Sequence, residues 1–262
     1  MTLPEFVREK VVIEAQVLSQ QELAEGVFRL WLEAPEIAGA AQPGQFVQVH
    51  VHQAGVLLRR PLGVAELEPG KGALSLIYRR VGRGTEALSK LLPGESVNLL
   101  GPLGKGFHFK GSKALLVGGG MGLSPLLCCA ESLARAGKEA EVLMGGRTAA
   151  ELFWQKLFEP YASKLHLTTD DGSLGVKGFV TTPLPKLLER GSYEEVAVCG
   201  PEIMMKGVAD IVRQHGLPCE VSLEKRMACG LGACLSCSVD TAHGRRKVCK
   251  DGPVFPAEEV FF

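Results

Sequence analysis

Short runs in which apolar and polar residues alternate open the chain, and this period of two predicts strands. VVIEAQVLSQ (11–20), VFRLWLEAP (27–35), GQFVQVHV (44–51), GALSLIYRRV (72–81) and ESVNLLGP (95–102) carry it, with Pro43-Gly44, Pro69-Gly70 and Pro93-Gly94 marking turns. Strands joined by turns alone predict an antiparallel barrel or sandwich. From Lys113 the pattern changes. KALLVGGG predicts a buried strand, residues 124–136 a helix, EAEVLMGG a strand, AAELFWQKLF a helix and KLHLTTDDG a third strand. EEVAVCGP reads as a fourth strand, EIMMKGVADIVRQHG as a helix and PCEVSLE as a last strand. Strands alternating with helices predict a parallel, doubly wound sheet. The expected division is a β-barrel over 1–110, an α/β domain over 111–224 and a segment over 225–262, the last too short and turn-rich to stand on apolar burial alone.

Composition narrows the classes. The 262 residues suit two domains and an appendage; 46% are hydrophobic and 22% charged, as in ordinary globular proteins. Lys plus Arg and Asp plus Glu both number 29, so the formal net charge is zero, which argues against a nucleic-acid or membrane partner held by bulk charge. The opening MTLPEFVREK lacks the basic-then-apolar order of a secretory leader, so the expectation is a reducing cytoplasm. Residues 114–130 are uncharged, but Gly118, Gly119, Gly120, Gly122 and Pro125 make them strand, turn and helix, not a membrane span.

The last segment holds KRMACGLGACLSC: Cys229, Cys234 and Cys237 in a C-x4-C-x2-C spacing, with Cys249 after eleven intervening residues. That is the plant-type [2Fe-2S] spacing. Gly230, Gly232 and Ala233 let a loop fold over a bulky cluster and free backbone N–H groups for its sulfurs. A structural zinc, which usually takes two close ligand pairs, and a redox thiol loop are the alternatives. Cys128, Cys129, Cys199 and Cys219 fall on predicted core elements, where cysteine serves as a small hydrophobe.

LLVGGGMGLSPLL places Gly118, Gly119, Gly120 and Gly122 where a buried strand turns into a helix, in a G-x-G-x-x-P pattern. Such a turn offers backbone N–H groups and a helix N-terminus to a pyrophosphate; it can also simply pack a helix on a strand. Cys199, Gly200 and Pro201 end a later strand and could border a nicotinamide, Cys199 alternatively being a packing residue. RRPLG (59–63), IYR (77–79) and GRGTEALSKLL form a third constellation. Arginine can fork onto phosphate, Tyr78 can lie against a flavin or ribose, and Gly84-Thr85 would cap a short helix near a second phosphate. Arg59, Arg79, Arg80 and Arg83 could equally be solvated charge. Asp170-Asp171-Gly172 could reach a ribose or form an ordinary turn. The six histidines are scattered and read as structural.

RRPLG, IYRRVGRGT, GPLGKGF, VGGGMGLSPL, TDDGSLGVKGFVT, CGPEIMM, RMACGLGACLSC and KVCKDGPVF, in this order, resemble the ferredoxin reductase superfamily and within it the electron-transfer subunits of class B dihydroorotate dehydrogenase. The resemblance implies an FAD-binding barrel touched by Arg60, Pro61, Leu62, Gly63, Ile77, Tyr78, Arg79, Gly84 and Thr85, a Rossmann-like NAD-binding domain, and a [2Fe-2S] segment ligated by Cys229, Cys234, Cys237 and Cys249. It also implies a partner, an FMN-containing subunit that oxidises dihydroorotate in pyrimidine (UMP) biosynthesis, in a heterotetramer of two of each. Electrons would pass from that FMN through the cluster and FAD to NAD+. Gly63 departs from the Ser or Thr common in the arginine motif. Gly146-Arg147 stands where an acidic residue is expected for NAD, and an arginine can meet a 2′-phosphate. Rival readings are a reductase subunit of a ferredoxin-NADP or hydrogenase complex, a cofactor-free regulatory subunit, and a zinc-stabilised binding module.

Overall fold

A computed structural model of the chain describes residues 10–51 and 55–262; of the opening stretch read for a leader, only Lys10 lies within them. Strands β1 (Val11–Ala24), β2 (Val27–Glu33), β3 (Phe46–His50), β4 (Arg60–Glu68), β5 (Ala73–Arg79) and β6 (Ser96–Leu103) close into a barrel in the order β1-β2-β5-β4-β3-β6, every pairing antiparallel. Two short helices, α1 (Pro35–Ala40) and α2 (Arg83–Leu88), lie among them. Period-two alternation decides what fills the barrel: Ala15 and Val17, Leu30 and Leu32, Val47 and Val49, Leu74 and Leu76, and Val97 and Leu99 all point inward. Burying one such Val or Leu contributes roughly 1.5–3 kcal/mol.

The second sheet runs β10-β9-β8-β7-β11-β12-β15, from β7 (Lys113–Gly119), β8 (Glu139–Gly146), β9 (Lys164–Thr169), β10 (Val176–Lys177), β11 (Glu195–Cys199), β12 (Cys219–Ser222) and β15 (Val254–Pro256). All its pairings are parallel except β12 with β15. Central β7 is covered on both faces, Leu115 and Val117 entering one core and Ala114 and Leu116 another. Helix α3 (Leu123–Arg135) packs on one side through Leu126, Leu127 and Ala130. Helices α5 (Leu184–Arg190) and α6 (Glu202–Gln214) pack on the other through Leu184, Met205 and Val208. The helix expected over AAELFWQKLF is a 3-10 turn, Ala149–Leu152, followed by the four-residue α4 (Gln155–Phe158). Leu152 and Trp154 are both buried.

The C-terminal segment carries a hairpin, β13 (Ser238–Thr241) and β14 (Gly244–Lys247), then α7 (Val248–Asp251). It does not stand alone: β15 completes the parallel sheet as its antiparallel edge, and Cys237, Val248, Cys249 and Phe255 share a core with Phe46, Leu100 and Leu103 of the barrel. Among the described residues no helix is long and apolar enough to cross a membrane.

Candidate functional site

A cleft of about 340 Å³ opens between the barrel and the parallel sheet. Its barrel wall is Arg60, Pro61, Leu62 and Gly63 at the start of β4, with Ile77, Tyr78 and Arg79 at the end of β5 and Thr85 in α2. The first turn of α3 supplies Ser124 and Pro125 opposite, and Cys199 and Ser222 close the bottom at two strand ends. Eight of the nine residues expected at FAD thus line one cavity, and Gly84 is the exception. A β-carbon there would run into Nε of Arg60 and lie 2.8 Å from Cζ, so Gly84 makes room for the guanidinium. The cap of α2 is Gly82, two residues earlier than expected. Thr85 ties that turn down: its hydroxyl accepts from Val81 N (2.9 Å) and Gly82 N (3.2 Å) and donates to Gly82 O (3.0 Å).

Tyr78 differs from its expected place against a ligand. Its ring is 2% exposed and stacks on Phe28 inside the barrel, its hydroxyl donates to Gln20 Oε1 at 2.8 Å, and burial pushes its pKa up. Arg59 is no free surface charge: it donates to Gln48 O and Asn98 O, both at 3.2 Å, and braces β3 against β6. Arg80 lies over the Phe28 ring.

A second cleft, of about 700 Å³, lies along the carboxyl ends of β7, β8 and β9. Gly119, Gly120 and Pro201 line it as expected; α3 continues from the 3-10 turn Gly120–Gly122, where Leu123 N donates to Gly120 O, so the N–H groups without a partner inside the helix are those of the glycine turn itself. Gly118 and Gly122 serve packing: a β-carbon on Gly118 would lie 2.5 Å from Leu123 Cδ2, and one on Gly122 would strike the Cys199 carbonyl. Cys199 lines the first cleft, its thiol 3.7 Å from Ser222 O and its pKa raised by burial. Gly200 and Pro201 border a smaller space beside Glu224 and Lys225. Asp170 lines the large cleft, while Asp171 is spent on its own turn, accepting from Ser173 N (2.9 Å) and Oγ (2.6 Å).

The sequence marked Arg147 and Asp170 on the rim of this cleft, but not what meets them there. Glu151 accepts from Arg147 Nε at 2.7 Å and from Arg147 N at 2.9 Å; the arginine hydrogen bond holds the carboxyl below its ordinary value. Thr168, Phe179 and Met204 also line it. Nothing in a single sequence marks Thr168, Phe179 and Met204, because the sheet brings them together; Glu151 meets Arg147 from four residues on. Glu224, likewise missed, lines the first cleft.

Of the four cysteines, Cys229 and Cys234 lie on the glycine loop, Cys234 exposed, while Cys237 and Cys249 are buried. Sulfur acceptors are served from the backbone: Leu231 N and Cys234 N reach Cys229 Sγ, and Cys249 N reaches Cys237 Sγ, each at 3.4 Å. Burial pushes the Cys229 thiol up, but these N–H groups outweigh it and bring it to about 6. Burial and the neighbouring Cys237 push Cys249 up to about 12. Four cysteines with backbone N–H groups aimed at their sulfurs are the donor set of a binuclear iron-sulfur cluster; among the described residues no three metal-ligating side chains are drawn together into a closed cage. The first cleft fits FAD through the arginine seated on a bare glycine, and the second fits a dinucleotide through its glycine turn.

The sites are contiguous. Arg79 and Met121 line both clefts, and Lys225 and Met227, which lead into the cysteine loop, line the first.

Residues 11–108 match the oxidoreductase FAD-binding domain, 116–210 the oxidoreductase NAD-binding domain, and 224–261 the iron-sulfur cluster binding domain of dihydroorotate dehydrogenase B. The chain is 39% identical over 256 residues to the dihydroorotate dehydrogenase B (NAD(+)) electron transfer subunit of Desulforamulus reducens, across 95% of this chain and 98% of the relative. The subunit of the same name from Geobacillus thermodenitrificans is 40% identical over 254 residues, across 93% and 96%. Among solved structures, the NADH-dependent reduced ferredoxin-NADP oxidoreductase studied for flavin-based electron bifurcation aligns with a TM-score of 0.85 at 34% identity, across 95% of this chain and 90% of that chain. A ferredoxin NADP+ reductase from Neisseria gonorrhoeae with bound FAD and NADP aligns with a TM-score of 0.63 at 16% identity, across 78% and 92%, and shares the fold alone.

Proposed function

Because the chain belongs to the family of dihydroorotate dehydrogenase B (NAD(+)) electron transfer subunits, we propose that its three sites act in series, carrying electrons from a dihydroorotate-oxidising partner to NAD+ in pyrimidine biosynthesis. The partner is an FMN-containing catalytic subunit, the assembly a heterotetramer of two of each, and the compartment the cytoplasm. The division of labour follows 1–110 for FAD, 111–224 for NAD and 225–262 for the cluster.

When bound, FAD accepts electrons singly or in pairs, the [2Fe-2S] cluster passes them singly, and NAD+ takes a hydride. This chain supplies placement. Arg60, held over Gly84 and bonded to Arg59 O at 3.3 Å, presents its fork to a flavin phosphate. Pro61, Leu62 and Gly63 offer strand backbone, and Ile77 and Arg79 with the N–H groups around Thr85 complete the grip; Tyr78 supports that strand from inside the barrel. Gly119 and Gly120 at the start of α3 receive the NAD pyrophosphate, with Gly200 and Pro201 beside the junction of the clefts. Gly118, Gly122 and Cys199 hold that junction closed behind them. Cys229, Cys234, Cys237 and Cys249 ligate the cluster.

The observation that carries this reading is the shared wall: Arg79 and Met121 stand in both clefts, and the chain leaving the first cleft at Met227 enters the cysteine loop two residues later. Short separation is what electron passage between sites requires. The test is an absorption and EPR spectrum of protein purified without oxygen, followed by dihydroorotate-dependent NAD+ reduction by the isolated complex. Flavin and [2Fe-2S] signals with that activity are expected. A loaded complex that ignores dihydroorotate would point to a ferredoxin-NADP or hydrogenase reductase, and a colourless protein to a binding subunit.

A further inference from the structure

Gln48 is buried without a partner in a place where burial is unusual. On β3 its side chain lies on the outer face of the barrel, alternating with Val47 and Val49, which fill the interior. Outward residues on a barrel strand ordinarily meet water, yet Gln48 is 0% exposed, and its amide nitrogen and oxygen both lack a hydrogen-bond partner. An amide left this way is costly to bury, and a leucine or methionine of similar volume would remove the cost. Packing alone therefore does not account for glutamine.

The cysteine loop is what covers it. A β-carbon on Gly230 would lie 2.8 Å from Gln48 Cγ and 2.9 Å from Nε2, and Gly230, at φ +70°, immediately follows Cys229. Glycine is needed here twice, for the left-handed backbone and for the approach of the amide. On its other side Gln48 pairs in register with Pro61, a wall of the flavin cleft. One unsatisfied amide thus stands between the flavin cleft and the cysteine loop and touches the loop.

We propose that the Gln48 amide is a side-chain hydrogen-bond donor to the sulfurs of the cluster site, contributed by the flavin barrel to the neighbouring segment. The inference rests on the reading of the four cysteines as cluster ligands. Thiolate and sulfide are acceptors, and the NH2 group of Gln48 is the donor that lacks one. It adds to the backbone donors Leu231 N and Cys234 N already directed at Cys229 Sγ. A donor to sulfur favours the reduced cluster, which carries one more negative charge, and so raises its reduction potential. Gln48 is in this sense a positioning residue that couples the seating of the loop on the barrel to the ease of reduction.

The test is an EPR-monitored redox titration of the full complex carrying Gln48→Leu, with flavin content and flavin potential read on the same sample. The expected result is a cluster about tenfold harder to reduce, about 59 mV lower for one electron, with altered g-values and unchanged FAD. Should Gln48→Leu fail to assemble, Gln48→Glu keeps the shape but replaces the donor NH2 by oxygen, and the same downward shift is expected. Wild-type potential and g-values in whichever variants assemble overturn the proposal. A wild-type complex lacking the [2Fe-2S] signal would instead overturn the ligand reading beneath it, so the two failures are told apart.

Discussion

The guanidinium of Arg60 rests on the bare α-carbon of Gly84: a β-carbon there would run into Nε and lie 2.8 Å from Cζ. The contact ties the start of β4 to the first turn of α2, and both Arg60 and Thr85 line the flavin cleft. Gly84→Ala must drive the arginine off its seat. A charge-assisted phosphate contact is worth about 1.5–3 kcal/mol, so FAD affinity should fall by about tenfold or more while the cysteine segment still loads. Flavin retained through gel filtration, and flavin titration of stripped protein, measure this. Wild-type retention would mean that Arg60 does not hold the flavin.

Gly63 lacks the hydroxyl common at its position, and the space for one is present. A β-carbon there would meet only Pro125, at 3.8 Å and 3.9 Å, which is ordinary contact. Gly63→Ser should therefore fold normally. A hydroxyl donor beside the flavin ring favours its electron-rich form, so the FAD potential should rise. An unchanged potential would place residue 63 out of reach of the ring.

The pattern that betrayed the barrel was alternation, and it revealed β1, β2, β3, β5 and β6 because their inward residues are plainly apolar. It hid β4, which begins Arg60-Pro61 and carries Gly63 and a buried Glu66 that Ser75 satisfies at 2.7 Å. The three residues of β15 gave no signal, because only the edge of β12 makes them a strand. The cysteine spacing was legible because ligation is a local constraint. Gln48 was not, since its meaning lies in what another element brings against it; Arg147 was marked, but its i,i+4 partner Glu151 was not. Cys199 shows the same limit: a strand end was predictable, but not which of two clefts its side would face.

Arg147 raised the prospect of a 2′-phosphate, yet Glu151 engages it twice, and Asp170 lines the same cleft. The guanidinium is neutralised, and the two carboxylates beside it would repel an added phosphate. NAD+ should bind better than NADP+. Glu151→Gln should strengthen NADP+ binding by about tenfold with little change for NAD+, an effect of about 1.4 kcal/mol. Titration of both nucleotides against wild type and variant decides this; equal preference in wild type would remove the role given to Glu151.

Acid should weaken the parallel sheet through Glu141. Burial raises its pKa, but hydrogen bonds with His166, Lys113 and Tyr193, at 2.7, 2.8 and 2.7 Å, outweigh burial and bring it to about 2 from 4.5. A folded-state pKa below the unfolded value means that this stability is present above about 4.5 and is lost as pH falls through about 2. Glu141→Gln should cost about 2 kcal/mol at neutral pH and flatten the acid limb of stability against pH. Urea unfolding from pH 7 to pH 2.5 measures both, and an acid limb identical to wild type would assign the acid sensitivity elsewhere.

Cys234 separates transfer between subunits from chemistry at the nucleotide. It is the exposed member of the four cysteines, and its backbone N–H donates to Cys229 Sγ. Cys234→Ser keeps that N–H and the shape of the loop but replaces a soft thiolate by a hydroxyl, a poor ligand for iron at neutral pH. The two clefts, by contrast, share Arg79 and Met121 and are lined by nothing beyond Met227 in the cysteine loop. The variant should therefore oxidise NADH with an artificial acceptor reacting at FAD at close to the wild-type rate. Dihydroorotate-dependent NAD+ reduction by the complex should fall to background, because electrons from the partner no longer cross the loop. If both activities fell together with FAD still bound, the loop would be acting on the flavin cleft itself; if neither fell, electrons would reach FAD by a route that avoids Cys234, and the serial order of the three sites would be wrong.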